Sequence, residues 1–307
     1  MAWVYDAPTG VYRDHHLSSQ IRREAVADSV FMRWLRPESG YGKGKGQSVT
    51  ITRMMQLPLA GRVSEIDRLP SGRPAISTKS VTAAEWGFKI EMTEFEKNLT
   101  HFDLNNQFQK MLRDQMSLTT DKMAADALKT TPYKYIPTTG GGVFDTDGTA
   151  STTATANLSV ADLRKIADEL RGTLKAPGVR RGKYVGILST RAARGIKNDP
   201  EFKDWFAPTT SDPMATGMIR DIEGFMLFET NHFDSLDNDV GSGGILGEAI
   251  FFGDDAGFLA VVDEPELRAG VPEDLGRFRE VGWVGTLEAG LVWDTAATAR
   301  VIHVTSA

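Results

Sequence analysis

Two runs, QSVTITRMM at Gln47–Met55 and STKSVTAAEWGFKIEM at Ser77–Met92, decide the fold together with the segment between them, LPLAGRVSEIDRLPSGRPAI at Leu57–Ile76. The first run alternates, with Val49 and Ile51 set against Ser48, Thr50 and Thr52, which is the period of a strand. The second is rich in Thr and Val and carries Trp86, Phe88 and Ile90. Pro58, Gly61, Pro70, Gly72 and Pro74 break the stretch between them. The three pieces predict an extended hairpin whose tip is too polar and too broken to build a core. Arg62, Glu65, Asp67, Arg68 and Arg73 put both signs of charge on that tip. An isolated two-stranded ribbon is marginal in water. This one therefore leans on something else, either a neighbouring molecule or, as a surface flap, its own domain.

Upstream, Met1 to His16 has no clear period and reads as an arm. Leu17 to Leu35 reads as a helix, because Leu17, Ile21, Ala25, Val26, Val30 and Trp34 recur every three to four residues. Pro37 and Ser39-Gly40 stop it. Its other face carries Arg22, Arg23, Glu24 and Arg33, a solvated or intersubunit face rather than a nucleic-acid contact. Glycines at 42, 44 and 46 then interrupt the chain.

Downstream, Asp103 is placed to cap a long helix. Leu104, Phe108, Met111, Leu112, Met116, Met123 and Ala127 form its apolar stripe, ending near Lys129. Such a helix is roughly 40 Å long. The Gly/Thr/Ala-rich stretch Thr138–Asn157 reads as a loop or flexible excursion containing a domain boundary. Ser159 and Asp162 then form a capping box, with Leu158 and Leu163 in the staple positions. Tyr184–Leu188 reads as a buried strand, and Ser189 opens another helix. Ile222–Glu229, Ala249–Phe252, Phe258–Val262, Val281–Trp293 and Thr298–Val304 are further strands. The alternation of helices and strands argues for a mixed second domain.

The chain has 307 residues, 41% hydrophobic and 25% charged, which excludes a disordered, fibrous or rod-like molecule. No apolar run approaches the ~18 residues of a membrane span, so no membrane partner is expected. The net charge of -6 does not suit wrapping duplex DNA by bulk positive charge. Without cysteine there is no disulfide, zinc-thiolate site or cysteine nucleophile.

Catalytic and metal motifs are weak. His15, His16, His101, His232 and His303 show no metal-binding spacing. Asp145 and Asp147 precede Gly148, but Val143 and Ala154 stand where a calcium loop needs ligands. Asp234, Asp237 and Asp239 are more simply a solvated loop than a cation site. Gly241, Gly243 and Gly247 follow acidic turn residues rather than the strand that a dinucleotide loop requires. No phosphate-binding loop and no nucleophile elbow occur. No catalytic residue, cofactor or metal is expected.

Three stretches, in order, resemble the major capsid proteins of tailed bacteriophages with the Hong Kong 97-type fold. Gly217–Asn231, GMIRDIEGFMLFETN, is similar to that family's G-x-I-x-x-I-x-G-F-x-hydrophobic segment. Ala249–Ala256, AIFFGDDA, is similar to its strand leading to Gly-x-x-Ala. Asp274–Phe278, DLGRF, followed by Val281–Leu291, is similar to its closing D-x-G-R stretch and last strands. The resemblance covers nearly the whole chain.

It implies an α+β fold with named parts. Residues 1–40 would be the N-terminal arm and helix, and 41–95 the extended loop that reaches over a neighbour. Residues 96–157 and 253–307 would form a peripheral domain around a spine helix at 103–129, and 158–252 an axial domain. It implies a structural protein that self-assembles as pentamers and hexamers into an icosahedral head enclosing double-stranded DNA, without sequence-specific binding. Scaffolding, portal and cement proteins would be its partners, the virion its location, and the host bacterial cytoplasm its place of assembly. Arg62, Glu65, Asp67, Arg68 and Arg73 on the loop, and Arg22, Arg23 and Arg33 on the arm helix, would make the contacts between subunits. Some members of the family link subunits through a Lys–Asn isopeptide bond. Leu57–Ile76 holds no lysine, so salt bridges are the expected substitute. The alternatives are an encapsulin-type nanocompartment shell and an α/β enzyme with an unrecognised site.

Overall fold

The computed structural model describes residues 26–38, 46, 48–63, 65, 68–69, 71–99, 104–202, 218–271, 274 and 277–307. Two sheets share one long helix. The first is seven-stranded, in the order β6-β5-β13-β10-β7-β9-β8. Its strands are β5 (Lys134–Ile136), β6 (Val143–Asp145), β7 (Tyr184–Ser189), β8 (Met218–Ile222), β9 (Phe225–Thr230), β10 (Ala249–Phe252) and β13 (Val301–Val304). In β7, β10 and β13 every residue is buried. They read as unbroken apolar runs because both faces of the sheet are covered.

One face packs under α3 (Val160–Asp168) and α4 (Thr190–Asn198): Leu188, Phe251 and Ile302 meet Leu163, Ile166 and Ile196. The other face receives the second half of the spine helix α2 (Leu104–Lys129), with Val185, Ile187, Ile250 and Val301 against Met123, Ala124 and Leu128. A Cβ at Gly186 would lie 2.7 Å from atoms of Leu227 and Phe251, so the central strand needs glycine there to admit the aromatic ring.

The second sheet runs β1-β11-β12-β4. It comprises β1 (Arg36–Glu38), β4 (Ala84–Thr93), β11 (Gly257–Ala269) and β12 (Phe278–Leu291). It packs on the far side of α2, where Leu259, Leu287 and Leu291 join the core that the helix shares with the first sheet. Trp283, 1% exposed, donates its indole N–H to Gln115 of the helix at 2.5 Å. A separate ribbon pairs β2 (Ser48–Met54) with β3 (Ile76–Thr82), in register from Ser48↔Thr82 to Met54↔Ile76.

Several sequence expectations hold and several need correction. The capping box of α3 is present, with the Ser159 side chain accepting from the Asp162 amide and the Asp162 carboxylate accepting from the Ser159 amide. Asp103, the expected cap of α2, lies outside the described residues. Met111, assigned to the buried stripe of α2, is 51% exposed.

The run Ser77–Met92 is two strands rather than one. It changes sheet at Ala83, so β3 pairs with β2 while β4 pairs with β12. The helix expected over Leu17–Leu35 does not extend through 26–35. Residues 32–34 form a single 3-10 turn and Arg36–Glu38 a strand. The backbone N–H groups of Phe31 and Met32 donate instead to Asp121 Oδ1 of α2, at 2.7 and 3.3 Å. Thr138–Asn157 is not a free excursion, because β6 lies in it and Ala154 is fully buried. The expected domain limits also cut across one sheet. β5, β6 and β13, grouped above with the peripheral part, hydrogen-bond into the sheet of β7–β10. Strand order depends on long-range pairing that a local pattern does not encode.

Candidate assembly interface

The ribbon β2–β3 projects from a clamp at its base. Arg53 on β2 is 6% exposed. Its Nη1 donates to the Val292 carbonyl at 2.8 Å and to Asp294 Oδ1 at 2.5 Å. Lys79 on β3 donates to Asp294 Oδ2 at 2.9 Å. Burial pushes the Asp294 carboxyl up, but the Lys79 and Arg53 donors outweigh that and hold it below the usual carboxylate range. Arg53 and Arg300 both lie over the Trp293 ring, at 5.9 and 4.3 Å. Val49, Ile51 and Val81 pack with Trp293 on Phe258 and Val292. The base of the ribbon therefore rests on its own subunit.

The tip does not. The ladder closes at the Met55 amide, which donates to the Ala75 carbonyl. Beyond it, every described residue between 56 and 75 is exposed. Arg62, Glu65, Arg68 and Arg73 all lie there in solvent, with no ion pair to a described residue. Asp67 is outside the described residues. The tip also holds apolar side chains that its punctuation hid: Leu59 is 94% exposed, Leu69 81% and Leu57 50%. The signal for them was the Leu residues themselves, recurring in a segment with no helical or strand period to bury them.

Beneath the ribbon, a groove of about 570 Å³ runs between β3, α2 and β12. Val81, Trp86, Met123 and Leu291 line it, with Asp126 and Glu288 at its polar positions. Burial pushes the Glu288 carboxyl up.

The arm region is a second surface. Arg33 is exposed and stacks its guanidinium 4.7 Å above the Phe228 ring; Arg22 and Arg23 fall outside the described residues. Asp121, fully buried, takes up the chain between them and the spine helix through Phe31, Met32 and the Ser29 hydroxyl.

A third cluster ties the end of the spine helix to the seven-stranded sheet. Glu248 receives Lys129 at 2.6 Å and the Asp237 amide at 3.0 Å, and it lies 3.3 Å from His303 Nε2. Lys134 Nζ lies 3.2 Å from His303 Nδ1 and donates to the Lys129 carbonyl. Burial pushes the His303 imidazole down to about 4 against the opposing pull of Glu248. Lys129 and His303 help hold Glu248 well below its ordinary value despite its own burial. The sequence expected nothing of His303 beyond a lack of metal spacing. Among the described residues no group of three or more His, Asp and Glu side chains could hold a metal ion, and no helix is long and apolar enough to cross a membrane.

Residues 76–301 match the family model described as phage capsid protein. No curated protein matches the sequence. Among solved structures, the chain is similar to the capsid subunit of cyanophage Pam1, with a TM-score of 0.75 at 16% identity, covering all of both chains. It is also similar to the capsid of Ralstonia phage GP4, with a TM-score of 0.68 at 16% identity over 100% of this chain and 98% of that one. The acid-stable capsid of the Helicobacter pylori bacteriophage KHP30 gives 0.69 at 15% identity, over 97% and 96%. The matched region takes in β3 and β4, the spine helix, the whole seven-stranded sheet up to the first residue of β13, and the β11–β12 hairpin, and so the chain belongs to the phage capsid protein family and carries its Hong Kong 97-type fold.

Proposed function

We propose that this major capsid protein forms its shell by laying the β2–β3 ribbon across a neighbouring copy. Pentamers and hexamers then build an icosahedral head that encloses double-stranded DNA without reading its sequence. The observation that carries the reading is the tip at 56–75, solvent-exposed throughout its described residues and bearing Leu59 and Leu69 without a core. Arg62, Glu65, Asp67, Arg68 and Arg73 set its register on the neighbour, and Arg22, Arg23 and Arg33 contribute from the arm. A single exposed ion pair contributes only ~0.2–1 kcal/mol. A subunit held at several points gains by avidity, since each later contact forms at high effective concentration.

The four-stranded sheet with the spine helix serves as the peripheral part, and the seven-stranded sheet as the axial part around each ring. Scaffolding, portal and cement proteins are the expected companions, and the host cytoplasm the place of assembly. The phage capsid family match favours a viral head over an encapsulin-type compartment and a structural role over an enzymatic one.

Negative-stain images of the expressed chain, alone and with its scaffolding protein, should show shells, tubes or capsomers. Arg68→Glu should reduce them while leaving the circular dichroism of the subunit unchanged. A compact monomer at high concentration under both conditions would defeat the proposal.

A further inference from the structure

The seven-stranded sheet carries a basic turn at one end and an acidic loop at the other. Just ahead of β7, residues 175–183 (KAPGVRRGK) hold four cations and no acid. Arg180 and Lys183 close a two-residue turn by an antiparallel bridge, with Arg181 at φ 53 and Gly182 at φ 75. Lys175 is also left-handed, at φ 49. Glycine or asparagine would occupy such positions with less strain. Among the described residues five non-glycine positions have positive φ. All five are charged, and four of them, Lys175, Arg181, Glu223 and Asp255, lie at this end of the sheet.

Two of the four are answered within the subunit. Glu223 pairs with Arg164 at 2.9 Å, and Asp255 with Arg300 at 3.4 Å. Lys175 and Arg181, together with Arg180, are exposed and have no ion pair with a described residue. Strained backbone that persists where no described residue uses the side chain points to a use outside the subunit.

β7 and β9 are parallel, so the loop after β9 lies at the opposite end of the sheet. There Phe233 is 51% exposed beside exposed Asp234 and Asp237. Asp239 is taken by Arg191 at 2.7 Å. Asp234 and Asp237 have no ion pair with a described residue.

We infer that the basic turn at 175–181 of each subunit docks on the Phe233–Asp237 patch of the next copy in a ring. The inference rests on the shell-forming reading above and names the contact that closes its rings. A head-to-tail ring needs two different, complementary patches on every subunit, one offered to each neighbour. Subunits of net charge -6 repel one another at long range. A cationic turn facing an anionic loop overcomes that locally and fixes the register. Phe233 adds a ring face for a guanidinium to stack on, between carboxylates that accept its hydrogen bonds. The other polyanion such a turn could meet is the DNA backbone, but among the described residues at this end of the sheet no exposed aromatic side chain stands beside the turn to stack on bases, while the complementary patch lies on the same chain.

The test is charge reversal and exchange in the full chain, read as yield of capsomers and shells at about 0.15 M salt, where exposed pairs still act over some 8 Å. Arg180→Glu/Arg181→Glu should lower the yield at least tenfold, and Asp234→Lys/Asp237→Lys should do the same. Combining the two should restore at least a third of it. Arg181→Gly, which removes the left-handed strain, should melt at a higher temperature than the parent and yet assemble less.

Reversed variants that assemble like the parent, or a combination no better than either half, overturn the inference while the shell reading stands. Normal shells that hold less DNA would assign the turn to the nucleic acid and equally overturn it. A parent chain that forms neither capsomers nor shells defeats the shell reading first and the docking with it. An Arg181→Gly chain that both melts higher and assembles better also refutes it.

Discussion

Replacing Arg53 by methionine should lift the β2–β3 ribbon from the body without unfolding the subunit. The change keeps an unbranched apolar stem beside Trp293 and removes the guanidinium. What is lost is the bond to the Asp294 carboxylate at 2.5 Å and the bond to the Val292 carbonyl at 2.8 Å, together with the Nε bond to the Ser77 hydroxyl at 3.2 Å, which lies within the ribbon and does not hold it to the body. A hydrogen bond to a charged group contributes about 1.5–3 kcal/mol, and an acceptor left buried and unmet costs about 1–3 kcal/mol. Methionine and water at the rim recover part of this, so the net shift is about 3 kcal/mol, or on the order of 100-fold in the equilibrium between docked and lifted ribbon.

Hydrogen exchange reads that equilibrium directly, because a lifted two-stranded ribbon does not keep its ladder. Amides of Ser48–Met54 and Ile76–Thr82 should exchange on the order of 100-fold faster, while those of β7 and β10 keep their protection. Asp294→Ala should have a similar effect, and the double variant should add little, since both remove one clamp. Unchanged exchange in the ribbon, or equal acceleration in the buried strands of the seven-stranded sheet, would refute the reasoning.

Three further outcomes are expected. His303, held near 4 against an ordinary 6.5, stays neutral in the fold where the unfolded chain takes up a proton. Stability should thus fall as pH drops from about 6.5 to about 4, by up to about 1.4 kcal/mol per pH unit. Denaturant titrations of His303→Gln should show a flatter slope in that window, and a slope equal to the parent's would show that the proton is taken up elsewhere. Asp121→Ala leaves the Phe31 and Met32 amides without their acceptor, at a cost of about 2–3 kcal/mol. Limited proteolysis should then cut within 26–36 at least tenfold faster, and an unaltered cleavage rate would count against the anchor. Ser159→Ala removes one half of the capping box at about 1 kcal/mol. This is a melting shift of about 2 °C in a chain of this size, and calorimetry showing none would remove the cap from the list of stabilising contacts.

Where the pattern was local, the sequence was readable. The reciprocal bonds of Ser159 and Asp162, the buried strand from Tyr184 and the long helix ending at Lys129 are all specified within a turn or two of chain. The misreadings share a cause in partners far along the sequence. Val26, Val30 and Trp34 have helical spacing, but Asp121 takes the backbone N–H groups a helix would have used. Ser77–Met92 reads as one strand-like run, yet its apolar positions change phase at Ala83–Ala84, from Val81 and Ala83 to Trp86, Phe88 and Ile90, and β4 finds its partner some 190 residues away in β12. For the candidate interface, charge was legible and apolar exposure was not. Arg62, Arg68 and Arg73 were recognised as tip residues, whereas Leu59 and Leu69 were not singled out among the prolines and glycines that break the segment, and their exposure shows only in the fold. The Arg53–Asp294 clamp joins positions 241 residues apart, beyond any periodicity argument.

Ala83 is the sole residue between the last residue of the ribbon and the first of β4. The ribbon is seven residues long, about 20 Å of lever arm. A load placed on its tip is delivered, through one peptide unit and the Arg53 clamp, to β4 and to the stretch that follows β12. On the proposed docking of the tip, tension between sister molecules would be borne by strands drawn from both halves of the polypeptide, and would strain this joint before it disturbed the spine.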